Sequence, residues 1–110
     1  MKITKEKAQR LWRERYGCSN FAFDFHGNLM VFEGYGKPEY TCWFNGRIVY
    51  CGWNIHHVYP KSKGGSTTEG NLLCTNIFTN RLAADKITFW IDNVKYQVRK
   101  TAEGYGIVRL

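Results

Sequence analysis

The pair Asn45-Gly46, set between the runs Tyr40 to Phe44 and Arg47 to Tyr50, constrains this chain more than any other short feature. Both central positions of a tight hairpin turn need positive φ, which Asn and Gly tolerate, so the two runs pair as a β-hairpin. A two-residue turn sets Phe44 opposite Arg47 and Cys42 opposite Val49, with Cys51 opposite Tyr40. The two cysteines then share a face only diagonally, which argues against a disulfide. Similar short apolar runs recur along the chain. Phe21, Phe23 and Phe25 alternate, and Val31 and Phe32 follow across His26-Gly27-Asn28, predicting a second hairpin. Trp53 to Val58 reads as a strand and Leu72 to Cys74 as a short buried one. Thr88 to Ile91 and Lys95 to Arg99 meet at Asp92-Asn93, and Tyr105 to Leu110 adds a third strand beside them.

Helical spacing is confined to two segments. Thr4 caps a helix whose apolar positions Ala8, Leu11, Trp12 and Tyr16 share one side and which Gly17 ends. Its other side carries Lys5, Lys7, Arg10, Arg13 and Arg15, a face that is either simply solvated or tracks phosphates. Ile77 to Asp85, with Leu82, Ala83 and Ala84, has helical composition. Between them, Tyr59 to Gly70 is polar and long for a connection, and such loops are functional or mobile.

The chain holds 110 residues, enough for one domain spanning 1–110, and the Lys and Arg count of 16 against nine Asp and Glu gives a net charge of +7. That excess favours a polyanion, nucleic acid ahead of a membrane. No run of about 18 apolar residues exists to span a bilayer. The charged start of the chain lacks the pattern of an export signal, so the expected setting is cytoplasmic, with free thiols. Cys18, Cys42, Cys51 and Cys74 stand far apart without a close pair, which argues against a structural zinc knuckle.

The chemistry concentrates at His56 and His57. Adjacent strand residues point to opposite sides, so the two imidazoles cannot share one apolar face. Together they can divide the labour of hydrolysis, one nitrogen holding a metal and the other taking a proton from water. After the pair come Val58, Tyr59 and Pro60, then Lys61-Ser62-Lys63-Gly64-Gly65, Asn71-Leu72, and Asn80 opening a helical segment. From Trp53 to Lys86 this resembles the HNH endonuclease family, small stand-alone bacterial and phage members above all, whose motif runs acid-His-aliphatic-x-Pro, Gly-Gly, Asn-Leu and then His or Asn.

The resemblance implies an α+β fold: a ββα-metal (His-Me finger) core over about 51–87, a basic N-terminal helix and hairpins in 1–50, and a β-hairpin in 88–110. It implies hydrolysis of DNA phosphodiesters in a bacterial or phage-infected cell, with weak sequence preference, by a monomer or weak homodimer. His57 aligns with the general base and Asn71 with the residue that pins the loop. His56 and Asn80 align with the two ligands of one divalent metal ion, and Lys61, Lys63, Arg81 and Lys86 are placed to meet the DNA backbone. His56 stands where the family usually has Asp, and Asn80 where many members have His. The donors are then neutral, which suits Mn²⁺, Co²⁺, Ni²⁺ or Zn²⁺ better than Mg²⁺ and predicts binding that weakens below about pH 6.

The remaining residues are read structurally. His26 is expected to face solvent in a turn, Trp53, Tyr59 and Phe78 to fill the core, and Gly64-Gly65 to form a flexible turn. Asn76 and Thr79 are expected to cap or support. The alternative reading is an HNH-like protein, catalytically weak or inactive, that binds nucleic acid or blocks a nucleic-acid-processing protein.

Overall fold

The computed structural model describes residues 3–110. Thr4 opens helix α1 (Lys5–Tyr16) by accepting a hydrogen bond on its Oγ1 from the Lys7 amide at 3.2 Å, and Gly17 at φ 63° ends it. Ala8 and Trp12, one turn apart, form its buried side. Among the described residues the only other α-helix is α2 (Ile77–Ala83), capped by the Asn76 side chain through the Phe78 amide. It stops before the expected Asp85 because Ala84 turns to φ 51°, outside helical geometry.

Nine strands form four small antiparallel sheets among the described residues. They pair β1 (Phe21–Phe23) with β2 (Leu29–Val31), β3 (Thr41–Phe44) with β4 (Arg47–Tyr50), and β5 (Trp53–His57) with β6 (Leu72–Asn76). A last sheet runs β7 (Thr88–Ile91), β8 (Val94–Lys100) and β9 (Tyr105–Arg109) in order. Phe44 faces Arg47 and Cys42 faces Val49, with Asn45 at φ 51° and Gly46 at φ 80° in the turn. The β7–β8 turn follows the same rule, with Asp92 at φ 49° and Asn93 at φ 67°. The four cysteines are free thiols, and Cys51 Sγ donates to Cys42 Sγ at 3.3 Å despite the diagonal placement.

This architecture corrects the fold class. The chain is mainly β, not an α+β protein built on a ββα-metal core, because its two helices hold 12 and 7 residues while hairpins occupy most of the remainder. The physical cause is local. Short apolar runs broken by Gly, Asn and Asp bury one face most readily by folding back on their neighbours.

Two clusters of buried side chains hold the hairpins. The first joins Ala8 and Trp12 of α1 to Ala22, Met30, Trp53 and Cys74. Its centre is the Trp12–Trp53 contact, ring centroids 4.7 Å apart, and each indole N–H finds a backbone oxygen, Ser19 O and Phe32 O respectively. The second joins Val58 and Ala83 to Phe89, Ile91, Tyr96 and Val98. Strand β5 therefore starts in one cluster and leaves into the other. His26 is a further correction: it is no solvent-facing residue, since its side chain is 10% exposed and bridges Tyr96 Oη at 2.6 Å and Asp92 Oδ2 at 2.9 Å. No helix among the described residues is long and apolar enough to cross a membrane.

Gly52 is a tight junction just before β5. A Cβ there would lie 1.9 Å from Lys37 O, and this close approach seats the 34–37 loop, whose Gly36 amide donates to Trp53 O at 2.8 Å. Gly52→Ala should lower stability by about 2–3 kcal/mol, read from urea denaturation, because the loop backbone must move. Gly46→Ala, with open space around it but positive φ, should cost about 1 kcal/mol. Equal shifts for the two variants would rule out the Lys37 contact as the cause.

Candidate active site

The register of β5 against β6 places His56 opposite Leu73 and His57 opposite Leu72, at the end of the ladder where the chain enters its long loop. Helix α2 follows β6 directly, and so Asn80 returns to His56 although 24 positions separate them in sequence. His56 Nδ1–H donates to Asn80 Oδ1 at 2.6 Å. Asn80 Nδ2 in turn donates to Asn54 Oδ1 at 2.6 Å, which orients the amide oxygen toward the imidazole. Asn54, two residues before His56 on the same side of β5, is a participant that the sequence pattern did not single out.

An open cleft of about 330 Å³ borders this pair. Its lining includes His56, His57, Lys61, Ser62, Asn80 and Asp85. Asp85 is the second participant outside the sequence pattern, lying just past the end of α2 rather than within it. Its Oδ2 accepts from Ser62 Oγ at 3.3 Å across the cleft. Lys63, Arg81 and Lys86 do not line the cleft, and Arg81 stacks its guanidinium over Phe78 on another side of α2, 5.5 Å from the ring centroid.

Asn71 lies beneath the site, buried, and holds both ends of the loop. Its Oδ1 accepts from the Tyr59 amide at 2.7 Å, while its Nδ2 donates to Tyr59 O at 3.1 Å and Ser66 O at 2.8 Å. The loop it ties is no loose turn, which corrects the reading of Gly64-Gly65. A Cβ on Gly65 would lie 1.8 Å from Tyr59 O, and the Gly65 amide donates to Pro60 O at 2.9 Å. Thr67, on the same loop, shares a hydrogen bond with His57 Nε2 at 3.1 Å and so fixes the ring's direction. Thr67 carried no sequence signal because its contact depends on how the loop folds back.

Burial sets the protonation of both rings. His56 is 5% exposed, and desolvation pushes its pKa below 6.5, opposed by the Asn80 hydrogen bond and assisted by His57. His57 is likewise lowered, first by burial and then by the Lys61 ammonium. Both imidazoles are therefore neutral at pH 7, the state in which one can ligate and the other accept a proton.

The donor set can be tested against a cation by distance. Two ligands about 2.1 Å from one ion and at right angles stand about 3 Å apart. The 2.6 Å between His56 Nδ1 and Asn80 Oδ1 needs to open only slightly, with the imidazole proton moved to Nε2. Among the described residues, no group of three or more His, Cys, Asp and Glu side chains gathers to hold a metal. His56 and Asn80 thus offer one nitrogen and one amide oxygen within reach of a single cation.

Two measurements probe this geometry. Asn71→Ala strands the Tyr59 amide and should cost about 1–3 kcal/mol in thermal unfolding, with faster amide exchange at Tyr59. The His56 ring resonance should titrate below pH 6.5, and lower still in Asn80→Ala, which removes the bond favouring the charged ring. Because the unfolded ring binds its proton more readily, the stability present above pH 6.5 declines as pH falls beneath it. A His56 midpoint at or above the ordinary value would contradict the buried neutral ring. Comparison of the chain with protein-family models, curated proteins and solved structures found no match.

Proposed function

We propose that this protein is a metal-dependent endonuclease of the HNH type that hydrolyses DNA phosphodiesters with weak sequence preference, working in the cytoplasm of a bacterial or phage-infected cell. The observation that carries the reading is the meeting of His56 and Asn80 at 2.6 Å in an open cleft that His57 also lines. His56 and Asn80 are the residues that would hold the divalent cation. Bound there, it would stabilise charge on the phosphoryl oxygens and on the departing 3′ oxygen.

The chain's own groups supply the rest. His57, neutral at pH 7, takes the proton of the attacking water as the new P–O bond forms and the bond to the 3′ oxygen breaks. The departing 3′ oxygen takes its proton from solvent water, so the products are a 5′-phosphate and a 3′-hydroxyl. Thr67 and Asn71 keep His57 aimed by holding the loop. Lys61 adds positive charge for the incoming phosphate, and Asp85, held by Ser62 Oγ, is the carboxylate on the same lining. Weak sequence preference follows from affinity supplied mainly by phosphate contacts.

A second reading draws on one observation. The His56–Asn80 hydrogen bond already satisfies both groups, which equally suits an HNH-like protein that binds nucleic acid without cutting it. Supercoiled plasmid separates the two. The wild-type protein should nick it with Mn²⁺, more slowly with Mg²⁺, and not at all with a chelator. His57→Ala should reduce the rate at least 100-fold or so, as loss of a general base does. Asn80→Ala should weaken Mn²⁺ binding by about tenfold or more, measured by calorimetry. Gel retention with no nicking under Mn²⁺, Mg²⁺, Co²⁺, Ni²⁺ or Zn²⁺ would decide for the binder.

A further inference from the structure

Phe78 was expected in the core, yet it is 39% exposed, and Tyr50 beside it is 55% exposed. Their rings meet edge to face with centroids 5.3 Å apart at 63°. They line a second cleft, of about 910 Å³, with Gly36, Lys37, Pro38, Glu39 and Arg81. Arg81 keeps its guanidinium over the Phe78 ring. The cleft is built rather than incidental. Asn76 Nδ2 donates to Tyr50 O at 3.0 Å and its Oδ1 caps α2 at the Phe78 amide, so one buried side chain holds the backbone at both residues. The opposite wall, 36–39, is seated by the close approach of Lys37 O to Gly52.

We infer that this cleft binds unpaired nucleotides of single-stranded DNA, their bases on Tyr50 and Phe78 and their phosphates beside Lys37 and Arg81. Two rings inclined at 63° cannot rest on one flat surface: Tyr50 takes one base, and a base on Phe78 takes the place of the Arg81 guanidinium, which turns to a phosphate. Paired bases present only their edges, so the strand must be unstacked to reach the rings. Charge selects the partner: two cations face a single carboxylate, Glu39, on a chain of net charge +7.

The inference rests on, and sharpens, the endonuclease reading. Asn80 and Phe78 sit on opposite sides of α2, since each lines a different cleft. A helix diameter of about 10 Å then separates the clefts, a distance that one extended strand spans within a few nucleotides. The favoured substrate carries unpaired nucleotides close to the scissile phosphate.

The test is fluorescence anisotropy of a labelled 12-nucleotide oligo-dT and of a duplex of equal length, in chelator, so that no cleavage intervenes. The wild-type protein should prefer the single strand. Tyr50→Ala and Phe78→Ala should each weaken that binding about tenfold, the loss of one stacked base, and leave duplex binding unchanged. Tyr50→Phe should retain wild-type affinity, which separates stacking from misfolding. Trp90→Ala removes a 60% exposed ring that Lys95 also approaches, and should change nothing. Equal losses in Trp90→Ala, no preference for single strands, or unchanged affinity in both ring variants would overturn the inference, the last pointing to a protein partner. Single-strand binding without plasmid nicking would instead sink the hydrolytic reading alone. Nicking with no single-strand preference would sink only this one.

Discussion

The five-pair ladder between β5 and β6 is the interaction on which the remaining structure depends. Trp53 begins it inside the first cluster and Val58 leaves it inside the second. Its register sets His56 opposite Leu73, so that α2, continuing from β6, carries Asn80 back across it. A slip of one residue would send His56 to the side of Trp53 and move Asn80 away. The ladder is anchored by the Trp12–Trp53 contact. Truncating either indole would remove about 3–5 kcal/mol, a large share of the 5–15 kcal/mol that a domain of this kind has available.

Short hairpins alone are only marginally stable, and buried polar side chains join these to one another. Asp24 accepts from the amides of His26, Asn28 and Asn76, tying the first turn to the end of β6. Asn76 donates to Leu29 O and Tyr50 O and caps α2. Asn71 does the same for the long loop. Each spans elements that share no strand pairing, and each would leave several groups unpaired if removed. Such fully satisfied amides specify one arrangement at a modest net gain in energy.

The same economy of charge marks the two clefts. One gathers neutral donors, a lysine and a single carboxylate, and stays shallow enough for a phosphate to enter. The other pairs aromatic faces with cations and stands across α2 from the first. Placing both on one short helix makes their spacing a property of helical geometry rather than of a mobile linker.

Local chemistry settled what the sequence could settle. Asn45-Gly46 and Asp92-Asn93 favour positive φ, so both hairpins, and the register of the first, were readable from the residues themselves. Thr4, Ala8, Trp12 and Gly17 marked α1 in the same way. The spacing of His56, His57, Asn71 and Asn80 was visible too, as a pattern. Tertiary packing alone decided how the hairpins gather into two clusters, because which faces meet depends on partners far away in the sequence. It also decided that His26 is enclosed by Tyr96 and Asp92, that Phe78 is exposed, and that Asn54, Thr67 and Asp85 attend the histidines. Those contacts join residues distant in sequence, and no local periodicity encodes them.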